Sequence, residues 1–388
     1  MQHPLRSLLV PAVLLLHSGC GDDLEPLDEV APVCDAVEAA ACLVNQHACV
    51  LEGEAASCVP CELGQYATGS GQCAPIGGTP LHHDFTEFET ASGEEVLGLC
   101  QSWTLDNDEE LFVNAVELVQ NEASHHSNWT FVPDDRYAGP DGVWPCDERN
   151  YDQLSAALAG GVLYAQSTQA AKEVQKFPDG AVVRLPPHAR VIGDVHLLNP
   201  TDRPIRGRVE MTIYSLDPGD VRVRLSPFHL TYDALDIPPR STSRFTGECE
   251  LSSYFESATG TPLAMTLYYA LPHTHALGTR FFFEVVGGPD DGRSLLDVDG
   301  FNSEARGRLY DPPLDLAGAT GLRFGCEFDN PRNESVGWGF GDQEMCEMLG
   351  FADMDIVFES RVDEANADGA DGETQLFTGP CSTLAIRR

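Results

Sequence analysis

Six residues in this chain have the types and spacing that copper chemistry requires. Adjacent His125 and His126 sit in Glu-Ala-Ser-His-His-Ser, and His196 sits in Gly-Asp-Val-His-Leu. Further on come His273 and His275, in Leu-Pro-His-Thr-His-Ala-Leu-Gly, and Met345, in Asp-Gln-Glu-Met-Cys. The first set offers three imidazoles; the second offers two imidazoles and a thioether. A thioether suits soft Cu(I), whereas imidazole serves copper in both oxidation states. Two non-equivalent copper sites in one exported chain point to oxygen chemistry fed by single electrons. On a strand, residues i and i+2 share a face, so His273 and His275 can reach one ion. His125 and His126 would face opposite ways on a regular strand, so both can ligate one ion only at a bulge or strand end. His196 would complete the first site across the sheet, and Met345 must come from a distant strand. A lone histidine is more often a surface or satisfied residue. The other histidines, such as His82, His83 and His188, are therefore read as structural.

The elements that must hold these residues read as strands. Short apolar runs alternate with Pro, Gly and Asp turns: 110–119, 181–185, 206–214 and 280–286. Val209, Met211 and Ile213 alternate with Glu210 and Thr212, the period of a half-buried strand. Many short strands at this spacing predict an all-β chain of sandwich domains. The best helix candidate is 150–174, Ala-rich but broken by Gly160-Gly161. The acidic, Ala/Gly-rich stretch 363–373 reads as a mobile loop.

With 388 residues the chain is too long for one ordinary domain. Its net charge of -38 argues against nucleic acid as a partner and against docking on anionic lipid. Residues 1–19 read as a signal peptide, with Arg6 before an apolar run, Leu8 to Leu16, that is too short to span a bilayer. The run ends at His17-Ser18-Gly19-Cys20, which resembles a bacterial lipobox, although His17 stands where an aliphatic residue is usual. The expected location is thus export with lipidation at Cys20, anchored to the bacterial cell envelope at the periplasm or cell surface. The lipid would be the only membrane contact. An acidic tether, 20–33, leads to a module, 34–75, with six cysteines: Cys34, Cys42, Cys49, Cys58, Cys61 and Cys73. So short a segment needs bridges in place of a core. The spacing leaves all 15 pairings open, and Cys58-Val-Pro-Cys61 reads as structural rather than as a zinc or redox motif. Such a module could bind a protein or glycan partner. Gly77-Gly78-Thr79-Pro80 marks the next boundary.

From residue 82 onward the chain resembles the copper type II, ascorbate-dependent monooxygenases, the family of peptidylglycine α-hydroxylating and dopamine β-monooxygenases. The matching order is His125-His126, Trp144-Pro-Cys146-Asp, Arg184-Leu-Pro-Pro, Asp194-Val-His196-Leu-Leu-Asn-Pro, Asp236-Ile-Pro-Pro, Cys249, His273-Thr-His275-x-Leu-Gly, Cys326 and Glu344-Met345-Cys346. The resemblance implies two antiparallel, jelly-roll-like β-sandwich domains, 82–217 and 218–388, facing each other across a solvent-filled cleft. It implies two copper ions per chain. His125, His126 and His196 would hold the electron-transfer ion; His273, His275 and Met345 would hold the oxygen-binding, catalytic one. It implies the disulfides Cys100–Cys146, Cys249–Cys381 and Cys326–Cys346. A further bridge of the family is missing, with Val132 and Tyr151 at its two positions.

The implied activity is hydroxylation of an activated C–H bond of a small molecule, using O2 and ascorbate or another reductant. Departures bear on the substrate. Ser127 follows the histidine pair where the animal enzymes carry Met. Leu271, Glu347 and Gly98 replace the Arg, Asn and Tyr associated with peptide carboxylates, so peptide amidation is not expected. Glu347 is instead a candidate substrate-binding residue for a cationic amine. The alternative reading is a non-catalytic, surface-anchored copper-binding or adhesion protein that keeps the fold. Ligand histidines must be neutral, so copper loss is expected below about pH 6.5, the ordinary imidazole pKa.

Overall fold

A computed structural model describes residues 34–53, 55–121, 124–166, 170–299 and 307–387. The expected signal peptide, the lipidation at Cys20 and the acidic tether lie outside the described residues. The rest is an all-β protein of two sandwiches with a small disulfide-rich module seated on the first.

In the module, Asp35 caps the helix Ala36–Leu43, and Glu38 returns the bond in a capping box. A hairpin follows, His47–Glu52 against Ala55–Pro60, then a smaller one, Gln65–Ala67 against Cys73–Pro75. The bridges are Cys34–Cys49, Cys42–Cys58 and Cys61–Cys73, so Cys58 and Cys61 belong to different disulfides. Tyr66 and Ile76 pack on Ala115, Val174 and Tyr214 of the first sandwich. The Lys172 ammonium donates to the carbonyls of Cys61, Glu62 and Gln65 at 3.1, 2.5 and 2.8 Å and pairs with Glu117 at 3.1 Å. The Gln46 side-chain amide bonds both backbone groups of Val174, donating to its carbonyl at 3.1 Å and accepting its N–H at 2.8 Å. This seating explains why the strand Leu111–Gln120 is buried on both faces. Its inner side chains Val113, Val116 and Leu118 join the core, while Ala115 and Glu117 lie under the module.

One sheet of the first sandwich runs, in spatial order, Gly142–Pro145, Glu95–Thr104, Arg190–Leu198, Ser124–Val132 and Gly161–Ala165. The other is built around Leu111–Gln120, which pairs with Ala181–Leu185, Lys172–Lys176 and Val209–Leu216. Val209, Met211 and Ile213 are buried and Glu210 and Thr212 are not, as the alternation predicts. Val223–Arg224 still pairs with Ala181–Val182, so the chain leaves this sandwich some residues beyond 217. The helix candidate holds only over Gln153–Ala159, capped by Asp152. It stops at Gly160, where a Cβ would strike the Phe131 carbonyl, and the chain continues as strand.

The second sandwich has two six-stranded sheets. One contains Thr266–His273, Glu347–Asp353 and Ser226–Tyr232 as central neighbours; the other is centred on Gly321–Asn330 and Ser241–Glu250. A Phe-rich core fills the space between them. The stretch 363–373 is not an irregular loop: Asn366–Asp371 pairs with Thr374–Pro380 as an exposed edge hairpin. Composition concealed this, because the burial that marks a strand is absent from that edge. The disulfides Cys100–Cys146, Cys249–Cys381 and Cys326–Cys346 are all formed. At the two positions where the resemblance implied a further bridge, Val132 is buried in a cluster with Trp144 and Ile192, and Tyr151 packs against it. The Tyr151 hydroxyl meets Thr130 Oγ1 at 3.0 Å.

The sandwiches meet along an apolar seam. Tyr269, Leu271 and Phe351 of the second sandwich join the core cluster of the first. Phe177 contacts Phe351 and Tyr269 with ring centroids 5.2 and 6.1 Å apart.

Candidate metal centre

His126 stands opposite His196 in the pairing of Ser124–Val132 with Arg190–Leu198, whereas Ser124 stands opposite Leu197. His125 is therefore the extra residue of a β-bulge. This resolves the problem of adjacent histidines, since the bulge lets both rings turn to one side. The Nδ1 atoms of His125 and His126 lie 2.8 Å apart. Two nitrogens bound to one ion at about 2.0 Å lie about 3 Å apart, so this is the separation of a ligand pair. Ring centroids of His125 and His126 lie 4.7 and 4.8 Å from that of His196. Candidate ligand atoms of the three residues all fall within 4.8 Å of one another. His196 Nε2 is engaged by Glu95 Oε1 at 2.8 Å, while its buried Nδ1 has no hydrogen-bond partner. Glu95 thereby fixes the tautomer and leaves the buried Nδ1 lone pair available to a metal ion. An orphaned acceptor among neutral imidazoles fits a copper or other borderline metal ion. A second bulge, at Gly98 with φ of 69°, lets Val96 and Leu99 stay in register with Leu197 and Val195 beside this group.

The second group is assembled differently. His273 ends its strand opposite Glu347, and His275 lies just past the strand. Their ring centroids are 5.1 Å apart. The Glu344 carboxylate accepts the N–H groups of His275 and Leu277 at 2.9 and 2.7 Å. His275 Nδ1 lies 2.8 Å from the Gln343 carbonyl, which leaves Nε2 as the available acceptor. The loop carrying Met345 is thus bonded to the loop carrying His275, and Cys326–Cys346 anchors the next residue. Met345 itself, between Glu344 and Cys346, is buried at 5% exposure.

The two groups adjoin. His126 and His273 rings sit 5.3 Å apart, so the histidines of the two sandwiches touch where the resemblance implied solvent between them. The apolar seam at Phe177, Tyr269 and Phe351 holds them in this closed arrangement. Burial, then repulsion from neighbouring imidazoles, pushes His125 and His273 down to about 4 and His126 well below its ordinary value. A metal ion held by His125 and His273 would therefore meet competing protons nearer pH 4 than 6.5.

Glu347 lies next to this centre with partners of its own. Its carboxylate reaches His229 Nε2 at 3.6 Å and accepts from Trp338 Nε1 at 3.2 Å. The other His229 nitrogen is 3.6 Å from Glu359, which also binds Arg361. Burial lowers the His229 pKa, but the two carboxylates outweigh it and raise it to about 9. Burial likewise raises Glu347, but His229 outweighs it and holds it at about 2. A substrate ammonium at Glu347 would share that carboxylate with His229 and Trp338. His229, Glu359, Glu344 and Glu95 escaped sequence reasoning, because their roles rest on long-range contacts with no local pattern. Ser127 accepts from Trp129 Nε1 and Leu271 is buried in the seam, so both replacements are structurally absorbed. A second cluster, His82, Asp84 and Glu210, already holds the Arg208 guanidinium through both carboxylates.

No protein-family model and no curated relative matches this chain. Among solved structures, the major capsid protein P2 of bacteriophage PM2 aligns over 71% of this chain and 97% of its own, at 8% identity and a TM-score of 0.31. PBCV-1 VP54, fitted into a reconstruction of the virophage Sputnik, aligns over 72% and 94%, at 7% identity and a TM-score of 0.26. Likeness this distant carries no argument about function.

Proposed function

We propose that this chain is a copper-dependent monooxygenase that hydroxylates an activated C–H bond of a small molecule. O2 supplies the inserted oxygen atom, and ascorbate or another one-electron donor supplies two electrons; the second oxygen atom leaves as water. The observation that carries this reading is the convergence of His125, His126 and the unpartnered His196 Nδ1 beside His273 and His275. Copper, when bound, provides oxygen activation and single-electron transfer. His125, His126 and His196 would hold one ion, with Glu95 orienting His196. His273, His275 and Met345 would hold the other, with Glu344 positioning both loops. The surrounding burial keeps the imidazoles neutral and ready to ligate. Glu347 is proposed to orient a cationic substrate group.

A second reading, a surface-anchored copper-binding protein without turnover, draws on the closed seam, since His126 and His273 leave no room between their rings for a substrate. Copper per chain in the full-length protein, beside His196→Ala and Met345→Ala, tests the sites. Two ions in the parent and one in each variant is the expected result. Oxygen uptake with ascorbate, corrected for released peroxide, then separates the two readings. Copper bound without substrate-coupled uptake would favour the binding protein.

A further inference from the structure

At the other end of the His125-bearing strand, a cavity of about 970 Å³ opens where the sandwiches and their linker meet. Phe131, which lines it, is six residues from His125, about 20 Å along a strand. It is therefore separate from the histidine centre. Phe131, Leu158, Pro186 and Met354 give it apolar walls. Three arginines, Arg184, Arg222 and Arg224, also line it. Arg184 is paired with Glu110. Arg222 and Arg224 have no carboxylate partner among the described residues, in a chain with 61 acidic against 23 basic side chains. The Arg224 guanidinium lies instead over the Phe112 ring, 5.4 Å from its centroid. Asp353 and Asp355 are on the wall contributed by the second sandwich, and neither pairs with these arginines.

We propose that this cavity binds an organic anion with an apolar body, its charged end on Arg222 and Arg224. The groove is half open, its arginines are exposed and its lining mixes polar with apolar surface; its volume suits a drug-sized ligand with one anionic end and an apolar body. Unpaired guanidinium groups supply what an anionic head needs, and Phe112 orients one of them. Asp353 and Asp355 repel a second negative charge, which sets a preference for monoanions. The site binds between both sandwiches and is independent of the copper reading.

The test is calorimetric titration of the full-length protein with decanoate below its micelle concentration, beside decanol and decyltrimethylammonium. Decanoate is expected to bind at one site, more tightly than either control. Arg222→Ala/Arg224→Ala is expected to weaken it at least tenfold, and Asp353→Asn/Asp355→Asn to tighten it several-fold. His196→Ala is expected to leave it unchanged. Equal binding of all three amphiphiles, or decanoate affinity unaffected by the arginine changes while circular dichroism and melting stay those of the parent, would overturn the proposal. Binding only to anionic vesicles, with none of the free monomer, would do the same.

Discussion

The two histidine groups lie against one another yet are built by opposite means. The first is a product of sheet register: His126 faces His196 across a ladder, and one bulge brings in His125. The second is a product of tethering: His275 sits past a strand end, held by the Glu344 carboxylate and by a loop fixed at Cys346. Register is spread over nine-residue strands and tolerates the loss of any one contact. A tethered loop depends on a few local bonds, here those of Glu344, the Gln343 carbonyl and the Cys326–Cys346 bridge. The first group should therefore behave as a rigid site and the second as an adjustable one.

The largest effect should come from breaking the first group at its ligands. His126→Ala is expected to remove one copper per chain and abolish substrate-coupled oxygen uptake, while Cys100–Cys146 and the melting profile persist. Elemental analysis and an oxygen electrode check this; two retained coppers would show that register does not build a site. Next comes the tether. Glu344→Gln leaves one acceptor for two N–H donors, and metal affinity at the second group should fall about 10–100-fold, the usual cost of losing an outer-shell partner. Chelator competition should show the first group unchanged. An equal loss at both would erase the distinction between them.

Acidification sharpens the comparison further. In the metal-free protein His125 and His273 titrate near 4, against 6.5 ordinarily. Between those values the unfolded chain binds protons that the folded chain does not, so stability rises with pH and is lost on acidification. Melting temperature of the metal-free protein should fall from pH 6.5 toward 4, and His126→Ala, by removing one such group, should flatten the slope. A pH-independent melt would contradict the burial of these rings. The smallest effect belongs to the module. Gln46→Ala removes two hydrogen bonds to Val174, worth about 1–3 kcal/mol together. Hydrogen exchange should quicken at the Val174 amide and leave the histidine strands protected.

Much of this was legible in the residues. The alternation at Val209, Met211 and Ile213 is a local signal, and the need for a bulge or a strand end at His125-His126 follows from strand geometry alone. The paired cysteines of the sandwiches follow from the family resemblance. What stayed hidden depends on partners far away in the chain. Glu344 gives no sign that it will bind the backbone of His275, and His229 looks like any lone histidine until Glu347 and Glu359 flank it. The burial of Leu111–Gln120 on both faces could not be read either, because the covering module has no local signature in that strand. Nor could the closed seam, which rests on Phe177, Tyr269 and Phe351 meeting from two domains.

The chain has only two lysines, Lys172 and Lys176, and both lie beneath the module. Lys172 is surrounded by three carbonyls and a carboxylate, and Lys176 lies 5.2 Å from the Tyr66 ring centroid. Every side-chain amine of the protein is therefore sheltered at one contact. An acylating reagent would find Lys172 more readily once the module lifts, so the labelling rate of that side chain reports on the opening.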